Sequence, residues 1–487
     1  MNINGLTRTI GLIGNPVEHT LSPVIHNNIS KRMDIDSVYV PFRVEADGLD
    51  KAINGAYELN ILGLNVTVPH KNAVKEFLVD IDGAARDIGA VNTLVRDESK
   101  HGYKGYNTDY MGLERQIKED GIELSGRTVA ILGAGGAAKA VTYMCIKNGA
   151  SKIYILNRTI DKARQIAEDM YGLLNNDTSL YNSFCDSSKE MDKDNMLIKD
   201  IVVDRISSKE YIIPISLNDN NVITEDNLIA FQATSIGLSP NIDKVVIEDK
   251  EFYKKIAVGV DLIYNPATTK FMKLVNENGG KAYNALKMLL YQGVAAYELW
   301  HKISVPQEII EEVYLELKRS VYPKDNIVLI GFMGSGKSTV GKALAERASM
   351  NFIDSDEYIE NKAGMSIADI FEKMGEDEFR RIETETLIEL RDNLSNTVLA
   401  TGGGMPLRRE NAILLKEIGR VFYLTAANRV IYDRVKEDTK RPLLFCDDPY
   451  SKICDLMKER RPLYEKACDV KVDTNSNDLE EVLAAIS

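Results

Sequence analysis

Short apolar runs alternate with amphipathic stretches along nearly the whole chain. Residues 9–13, 37–44 and 63–69 are apolar and rich in Val and Ile, and helical periodicity follows them, first from about residue 24. The same alternation returns at residues 126–132, 137–147 and 152–156, again at 228–237 and 257–264, and in a helical stretch over 284–300. Strands that alternate with helices predict α/β sheets with ligands held at the carboxyl ends of the strands. A third block follows residue 325: an apolar strand at 327–330, a helix over 339–348, a strand at 351–356 and a buried strand at 398–404.

The segments between these blocks have another character. Residues 171–227 are rich in Asn, Asp and Ser with small apolar islands. That is long for one connection between sheet elements, so it reads as an insertion of surface strands and loops. Residues 306–320 form a charged amphipathic helix, and 321–326 a short Pro-containing linker. The expected organisation is a lobe over 1–112 completed by helices within 284–320, a second lobe over 113–283, the linker, and a separate domain over 327–487.

Two glycine-rich turns say what the second and third blocks bind. After the strand ending at Leu132 comes Gly133-Ala134-Gly135-Gly136-Ala137-Ala138, which opens a helix. This is the dinucleotide fingerprint of a Rossmann lobe, with Ala in its third position. The first Gly makes the tight turn, and the second lets the backbone approach a pyrophosphate. The next strand ends in Asn157-Arg158-Thr159. An acidic residue there would take ribose hydroxyls, whereas Arg158, with Lys162 one turn on, suits a 2′-phosphate and predicts NADP(H) over NAD. A solvated Arg158 would predict little discrimination between the two. In the third block, Gly331 to Ser338 has the spacing of a P-loop between a strand and a helix. Backbone N–H groups of Gly334, Ser335 and Gly336, continuing to Thr339, would cradle ATP phosphates; Lys337 would reach the β/γ-phosphates and Ser338 would hold Mg²⁺. The fold class is therefore α/β throughout: a substrate lobe plus a Rossmann NADP lobe, then a P-loop NTPase-like domain of the nucleoside monophosphate kinase type.

Polar residues gather where the first-lobe strands end: Thr20 and Ser22, then Asn65, Thr67 and Lys71, then Asn92 and Thr93, then Asn107, Thr108 and Asp109. Taken singly, Asn and Thr here are turn and cap formers. Together they can converge on one small polar ligand, and a Lys71–Asp109 pair can exchange a proton with an oxygen, as carbonyl reduction requires. In the third block Asp354 and Asp356 leave a strand two residues apart on an extended segment. They could divide Mg²⁺ binding from orientation of an attacking hydroxyl. Gly402-Gly403-Gly404 lets a substrate lie against bare backbone. Arg380 and Arg460 could fork onto a carboxylate, while Arg441, in a polar stretch that reads as a mobile lid, could cover a transferring phosphoryl group.

Composition narrows the partners. The 487 residues are 44% hydrophobic and 27% charged, with a formal net charge of −13. Such a surface repels nucleic acid and anionic membranes, and neither is an expected partner. The five Cys include no CxxC pair, and the five His show no metal-ligand spacing. No apolar run approaches the length of a membrane span and no signal-peptide core opens the chain, so the expected compartment is the cytoplasm. Self-association into a homo-oligomer is compatible with the sequence but not fixed by it.

In order, GNPVEHTLSP, NVTVPHK, GAVNT, NTD, GAGGAAK, NRT, ATSIG and MLLYQ resemble shikimate dehydrogenase over residues 5–320. The resemblance implies NADPH-dependent reduction of 3-dehydroshikimate to shikimate, with Lys71 and Asp109 as the catalytic pair. It implies a substrate pocket of Thr20, Ser22, Asn65, Thr67, Asn92, Tyr264 and Gln292, and a cofactor site that includes Gly237 of ATSIG. Thr20 stands where Ser is usual, Gln232 where Asn is usual, and Ala285 and Lys287 where Gly is common. GSGKST, DSD, FRRIE, TGGG, RPLL and RRPLY, over 326–475, resemble shikimate kinase. That implies transfer of the γ-phosphate of ATP to the 3-hydroxyl of shikimate. Asp356, Arg380, Gly403 and Arg460 would hold the acceptor, Arg441 would be the lid arginine and Arg434 would lie along the adenine. The expectation is a bifunctional enzyme of aromatic amino acid biosynthesis. One rival is a relaxed dehydrogenase that also takes quinate, which turnover of quinate would reveal. The other is a binding protein built from decayed enzymes, which the presence of Lys71, Asp109, Lys337, Ser338 and Asp356 argues against.

Overall fold

The computed structural model describes residues 3–176, 205–436, 446, 448–476 and 478–486. It divides into two compact units, Met1–Val321 and Tyr322–Ser487.

The first unit holds two sheets. One is built from β1 (Arg8–Gly14), β2 (Ser37–Arg43), β3 (Gly63–Val66), β4 (Asp80–Ile81), β5 (Thr93–Asp97) and β6 (Gly102–Tyr106), in the order β2-β1-β3-β5-β6-β4. β1 runs parallel to β2 and β3, and β5 runs antiparallel to β3 and β6. Leu64, Val66, Leu94 and Tyr103 are buried in its core, each full burial of such a side chain stabilising the fold by about 1.5–3 kcal/mol. The helix Leu286–His301 closes this lobe against Thr108–Glu119. The two helices touch at Gly112, where a Cβ would lie 2.6 Å from the Gln292 nitrogen and 2.7 Å from the Met288 oxygen. That approach brings Gln292 within reach of the strand ends.

The second sheet comprises β7 (Thr128–Leu132), β8 (Lys152–Asn157), β9 (Ile212–Ser216), β10 (Leu228–Gln232), β11 (Ile256–Asp261) and β12 (Lys281–Asn284), in the order β12-β11-β10-β7-β8-β9. All pairs are parallel. The order reverses between β10 and β7, which places the ligand crevice of a doubly wound sheet there. This sheet corrects the expected insertion. Residues 160–176 are one helix, and Ile212–Ser216 is the sixth strand, not a surface strand. Its apolar residues Ile212 and Ile215 are buried against the sheet, and Tyr154 fixes the return by donating to Glu225 Oε1 and Oε2, both at 3.0 Å. The middle of the expected insertion lies outside the described residues.

The second unit is a five-stranded parallel sheet: β13 (Ile327–Ile330), β14 (Asn351–Asp354), β15 (Thr397–Ala400), β16 (Arg420–Thr425) and β17 (Val470–Asp473), ordered β14-β15-β13-β16-β17. Asn326, read above as linker, is buried and ties three segments of this unit together. Its Nδ2 donates to Leu394 O (3.1 Å) and Ile418 O (3.0 Å), and its Oδ1 accepts from Thr397 N (3.0 Å). The helix after the P-loop begins at Lys337, two residues earlier than periodicity suggested, because left-handed Gly336 (φ 92°) turns the chain into it. Asp356 likewise lies in the first turn of the helix Ser355–Ala363, not on an extended segment. Asp354 caps that helix by accepting from Asp356 N (3.0 Å). No described helix is long and apolar enough to cross a membrane.

Candidate active sites

In the first unit, a cavity of about 330 Å³ opens at the carboxyl ends of the first sheet. Thr20, Ser22, Asn65, Thr67, Lys71, Asn92, Asp109, Tyr264 and Gln292 all line it. Lys71 follows the turn after β3. His70 anchors that turn by pairing with Val44 O (2.7 Å), and Lys71 O accepts from Val91 N (3.0 Å). Asp109 lies in the first turn of a helix capped by Asn107, whose side chain accepts from Tyr110 N (3.2 Å). The two elements bring Lys71 Nζ to 2.5 Å from Asp109 Oδ2, with the side chains 35% and 25% exposed. The pair is therefore open to a ligand yet already bonded within itself.

Buried hydrogen bonds hold the surrounding amides. Asn92 Oδ1 accepts from Thr108 N (2.7 Å), and Asn65 Nδ2 donates to Thr93 Oγ1 (3.1 Å). Thr20 donates to Ser22 Oγ (3.2 Å), and Gln292 Nε2 to Leu289 O (2.9 Å). The sequence reading missed Tyr39, whose buried hydroxyl donates to Asn65 Oδ1 (2.7 Å). Its only signal was an inward position on β2, which a core tyrosine would share.

The dinucleotide turn starts at Gly133, with φ 118°, a value that favours Gly. Gly135 caps the helix Gly136–Lys147, and a Cβ on Gly135 or Gly136 would meet nothing within 4 Å, so this backbone is open to approach. Ala134 is partly exposed and Ala137 exposed on the same turn. Asn157 Nδ2 donates to Thr159 O (2.8 Å), and Thr159 O also accepts from Lys162 N (3.2 Å), which shapes the turn that displays Arg158. Arg158 is exposed, has no hydrogen-bond or ion-pair partner among the described residues, and lines a cavity of about 430 Å³ with Ser216 and Asn218. Lys162 does not line that cavity. An unpaired guanidinium beside an open helix N-terminus fits a phosphorylated dinucleotide. Gly237, with φ 102°, closes the turn after β10.

In the second unit, a cavity of about 740 Å³ is lined by Gly334 through Thr339, Asp354, Asp356, Gly403 and Arg434. Lys337 Nζ donates to Gly331 O (2.9 Å) and Phe332 O (3.1 Å), folded against its own loop. Ser338 Oγ donates to Asp354 Oδ2 (2.7 Å). One hydroxyl and one carboxylate side by side fit Mg²⁺, which takes few protein ligands and completes its shell with water and phosphate. Arg434 donates to Thr474 O (2.6 Å) and Gly334 O (3.3 Å), spanning the far end of the cavity. Asp356 accepts no hydrogen bond from any described group; burial first, then the neighbouring Asp354, pushes its carboxyl up to about 6, with Lys337 opposing.

Gly402, Gly404, Arg380 and Arg460 do not line that cavity. They do meet around it: a Cβ on Gly402 would collide with Asp356 Oδ1, and one on Gly404 with the Arg380 guanidinium. Arg380 is held by Glu376 (3.0 Å) and by the buried Glu383 (2.8 Å). Arg460 is 5.9 Å from the Phe332 ring centre. Arg441 falls outside the described residues. Three residues inside the quoted motifs were passed over. Glu383 braces Arg380; Ser355 Oγ accepts from Gly402 N (2.9 Å); Tyr464 donates to Gly403 O (2.6 Å). No spacing rule separates such braces from ordinary helix residues.

The two sites define a dinucleotide-dependent oxidoreductase and a P-loop kinase in one chain. Family models described as "Shikimate dehydrogenase substrate binding domain", "Shikimate / quinate 5-dehydrogenase" and "Shikimate 5'-dehydrogenase C-terminal domain" match residues 12–94, 114–243 and 286–313. One described as "Shikimate kinase" matches residues 333–487. A shikimate dehydrogenase (NADP(+)) of Desulforamulus reducens is 39% identical over 312 residues, which is 64% of this chain and 96% of that relative. One from Carboxydothermus hydrogenoformans is 36% identical, over 64% and 98%. Among solved structures, a chorismate mutase/shikimate 5-dehydrogenase fusion protein from Clostridium acetobutylicum aligns at TM-score 0.53 with 30% identity, over 65% of this chain and 98% of that one. The chain belongs to the shikimate dehydrogenase family and carries a shikimate kinase domain after it. It is a bifunctional enzyme that reduces 3-dehydroshikimate with NADPH and phosphorylates shikimate with Mg-ATP.

Proposed function

We propose that Lys71 and Asp109 carry the proton transfer of the dehydrogenase and that Asp356 orients the acceptor hydroxyl of the kinase. The observation that carries the first reading is the 2.5 Å contact between Lys71 Nζ and Asp109 Oδ2 inside the polar cavity. NADPH supplies the hydride and Mg-ATP the phosphoryl group when bound. Lys71 donates a hydrogen bond, and then a proton, to the oxygen that gains charge as the substrate carbonyl is reduced, while Asp109 keeps the ammonium aimed. Asn65, Asn92, Thr67, Thr20, Ser22, Tyr264 and Gln292 fix the hydroxyls and carboxylate of the substrate. Arg158, with Thr159 and Lys162 beside it, takes the 2′-phosphate. In the kinase, Lys337 swings from its loop carbonyls to the β/γ-phosphates, Ser338 and Asp354 hold Mg²⁺, and Arg380, Gly403 and Arg460 seat the carboxylate and ring of shikimate.

The test is a coupled assay: 3-dehydroshikimate, NADPH and ATP with the full chain, followed as shikimate 3-phosphate. Asp109→Asn should abolish product from dehydroshikimate while leaving phosphorylation of added shikimate intact. Equal loss of both would sink the assignment.

The same reading takes residues 1–320 and 327–487 as separately working enzymes, supported by the division between Val321 and Tyr322. Cleavage at a protease site introduced in 321–325 should leave both activities. It also takes the chain to act in the cytoplasm without nucleic acid or membrane partners, supported by its net charge of −13 and its small polar substrates. Cell fractionation that recovered both activities with membranes would count against it.

A further inference from the structure

The proton-transfer scheme makes no use of Asp261, yet this carboxylate is fully buried at the end of β11. Oδ1 accepts from Ile263 N (3.0 Å) and from Gln232 Nε2 (3.3 Å), and Oδ2 accepts from the Thr269 hydroxyl (2.5 Å). Burial pushes the group up to about 6.

Each partner leads to a different wall of the site. Gln232, itself buried, ends β10 and wraps the turn that follows. Its Oε1 accepts from Thr234 N (2.6 Å) and Thr234 Oγ1 (2.7 Å), and its Nε2 also donates to Ile236 O (3.0 Å). That turn packs on the dinucleotide loop: a Cβ on Gly133 would lie 2.8 Å from Thr234 Cγ2 and 3.0 Å from Ala233 O. On the other side, Ile263 and Thr269 bracket the segment that carries Tyr264, and both Leu262 and Tyr264 line the substrate cavity. A shorter amide at 232 would not span from Asp261 to the Ile236 carbonyl in the same pose.

We propose that Asp261 is a positioning residue for hydride transfer, joining the cofactor-side turn 233–237 to the substrate-side turn 262–269 through Gln232 and Thr269. It touches neither ligand. It fixes the distance between the two walls that hold them, and hydride transfer is steep in donor–acceptor distance. The inference rests on the pocket assignment made above.

The full chain carrying Asp261→Asn tests it. Asn keeps the shape and both Oδ1 acceptor contacts, but turns an N–H toward the Thr269 hydroxyl. Expected are a dehydrogenase kcat about tenfold lower, a larger primary isotope effect with deuterated NADPH, and an unchanged kinase rate. Thr269→Val should reproduce the larger isotope effect in part, and Thr269→Ser should restore it to the wild-type value. If the Asp261 variant does not fold, the two Thr269 variants decide alone. An isotope effect equal to wild type in the variants, whether kcat falls or not, overturns the proposal, because a merely structural defect lowers the active fraction without changing the isotope effect. Lys71→Ala assayed in parallel keeps the two readings apart: full dehydrogenase turnover there would remove the pocket assignment, whereas a normal isotope effect at Asp261 and Thr269 removes only this inference.

Discussion

Side chains wall the dehydrogenase pocket, and backbone walls much of the kinase pocket. In the first, the polar lining comes from Thr20, Ser22, Asn65, Thr67, Asn92, Gln292 and the bonded Lys71–Asp109 pair. In the second, the P-loop and Gly403 offer peptide groups, Asp356 accepts no hydrogen bond from any described group, and Arg380, outside the cavity lining, is tied to Glu376 and Glu383. The difference follows from the ligands. A small polyol needs many short donors and acceptors around it. A triphosphate needs a ring of N–H groups and one movable cation. A side-chain wall can lose one member and keep its shape. A backbone wall depends on residues that lack a Cβ.

The largest effects should separate the two sites completely. Lys71→Ala is expected to lower dehydrogenase turnover by roughly 10²–10⁴-fold, the range for loss of a positioned acid–base group. Lys337→Ala should lower kinase turnover by about 10²–10³-fold, as for loss of one charge-stabilising donor. Each should leave the other activity within about twofold, measured on the same preparation. Next come the glycines. Gly402→Ala and Gly404→Ala push against Asp356 and Arg380 rather than against backbone, so both variants should fold. The displaced side chains should cost about 10²-fold in kinase kcat/KM. Asn65→Ala, the matching loss from a side-chain wall, should cost nearer tenfold in the dehydrogenase. Equal losses from the two walls would break the comparison.

This contrast also explains what the sequence could tell. Glycine spacing is a direct imprint of backbone geometry, so 133–136, 331–338 and 402–404 were readable before any coordinates. Lys71 and Asp109 were readable because charged residues at strand ends are uncommon without a purpose. β9 was not, because its apolar run lies inside an Asn- and Ser-rich stretch, and only pairing with β8 makes Ile212–Ser216 a sheet strand. Tyr39, Tyr464, Ser355, Glu383 and Asp261 were invisible for a different reason. Tyr39, Tyr464, Ser355 and Asp261 act on partners far away in sequence or on peptide groups, and Glu383 pairs with Arg380 at the i,i+3 spacing of any helix ion pair, so nothing local distinguishes them from structural residues.

Arg158 sharpens the cofactor side of the comparison. It meets no described partner, so Arg158→Ala should leave the fold unchanged and lower the preference for NADPH over NADH by about 10–100-fold, the worth of a charge-assisted hydrogen bond. An unchanged ratio of kcat/KM for the two cofactors would move the 2′-phosphate elsewhere.

The kinase wall also contains a buried acid. Burial raises Glu383 from an ordinary 4.5 to about 7, with Arg380 opposing. The folded state therefore binds the proton more tightly than the unfolded chain. The stability this confers is full below about pH 4.5 and is lost as pH rises through about 7, on the order of 3 kcal/mol in all. Glu383→Gln should flatten that slope in urea titrations between pH 4.5 and 7, and an identical slope in the variant would show that another group sets it.

The smallest effect bears most directly on the difference between the walls. Each pocket has one buried tyrosine that donates to a wall element: Tyr39 to Asn65 Oδ1 at 2.7 Å, Tyr464 to Gly403 O at 2.6 Å. Removing either hydroxyl leaves a buried acceptor short of one hydrogen bond. The consequences differ because the acceptors differ. Asn65 can turn its amide and keep Thr93 as a partner. The Gly403 carbonyl cannot turn alone, because Gly402 N is bonded to Ser355 Oγ and Gly402 O to Met405 N. Tyr464→Phe should therefore raise the KM for shikimate in the kinase reaction about fivefold, with the KM for ATP unchanged, while Tyr39→Phe raises the dehydrogenase KM only about twofold. If Tyr39→Phe proves the costlier change, the Asn65 side chain is held as rigidly as the glycine backbone, and the two pockets differ in chemistry but not in stiffness.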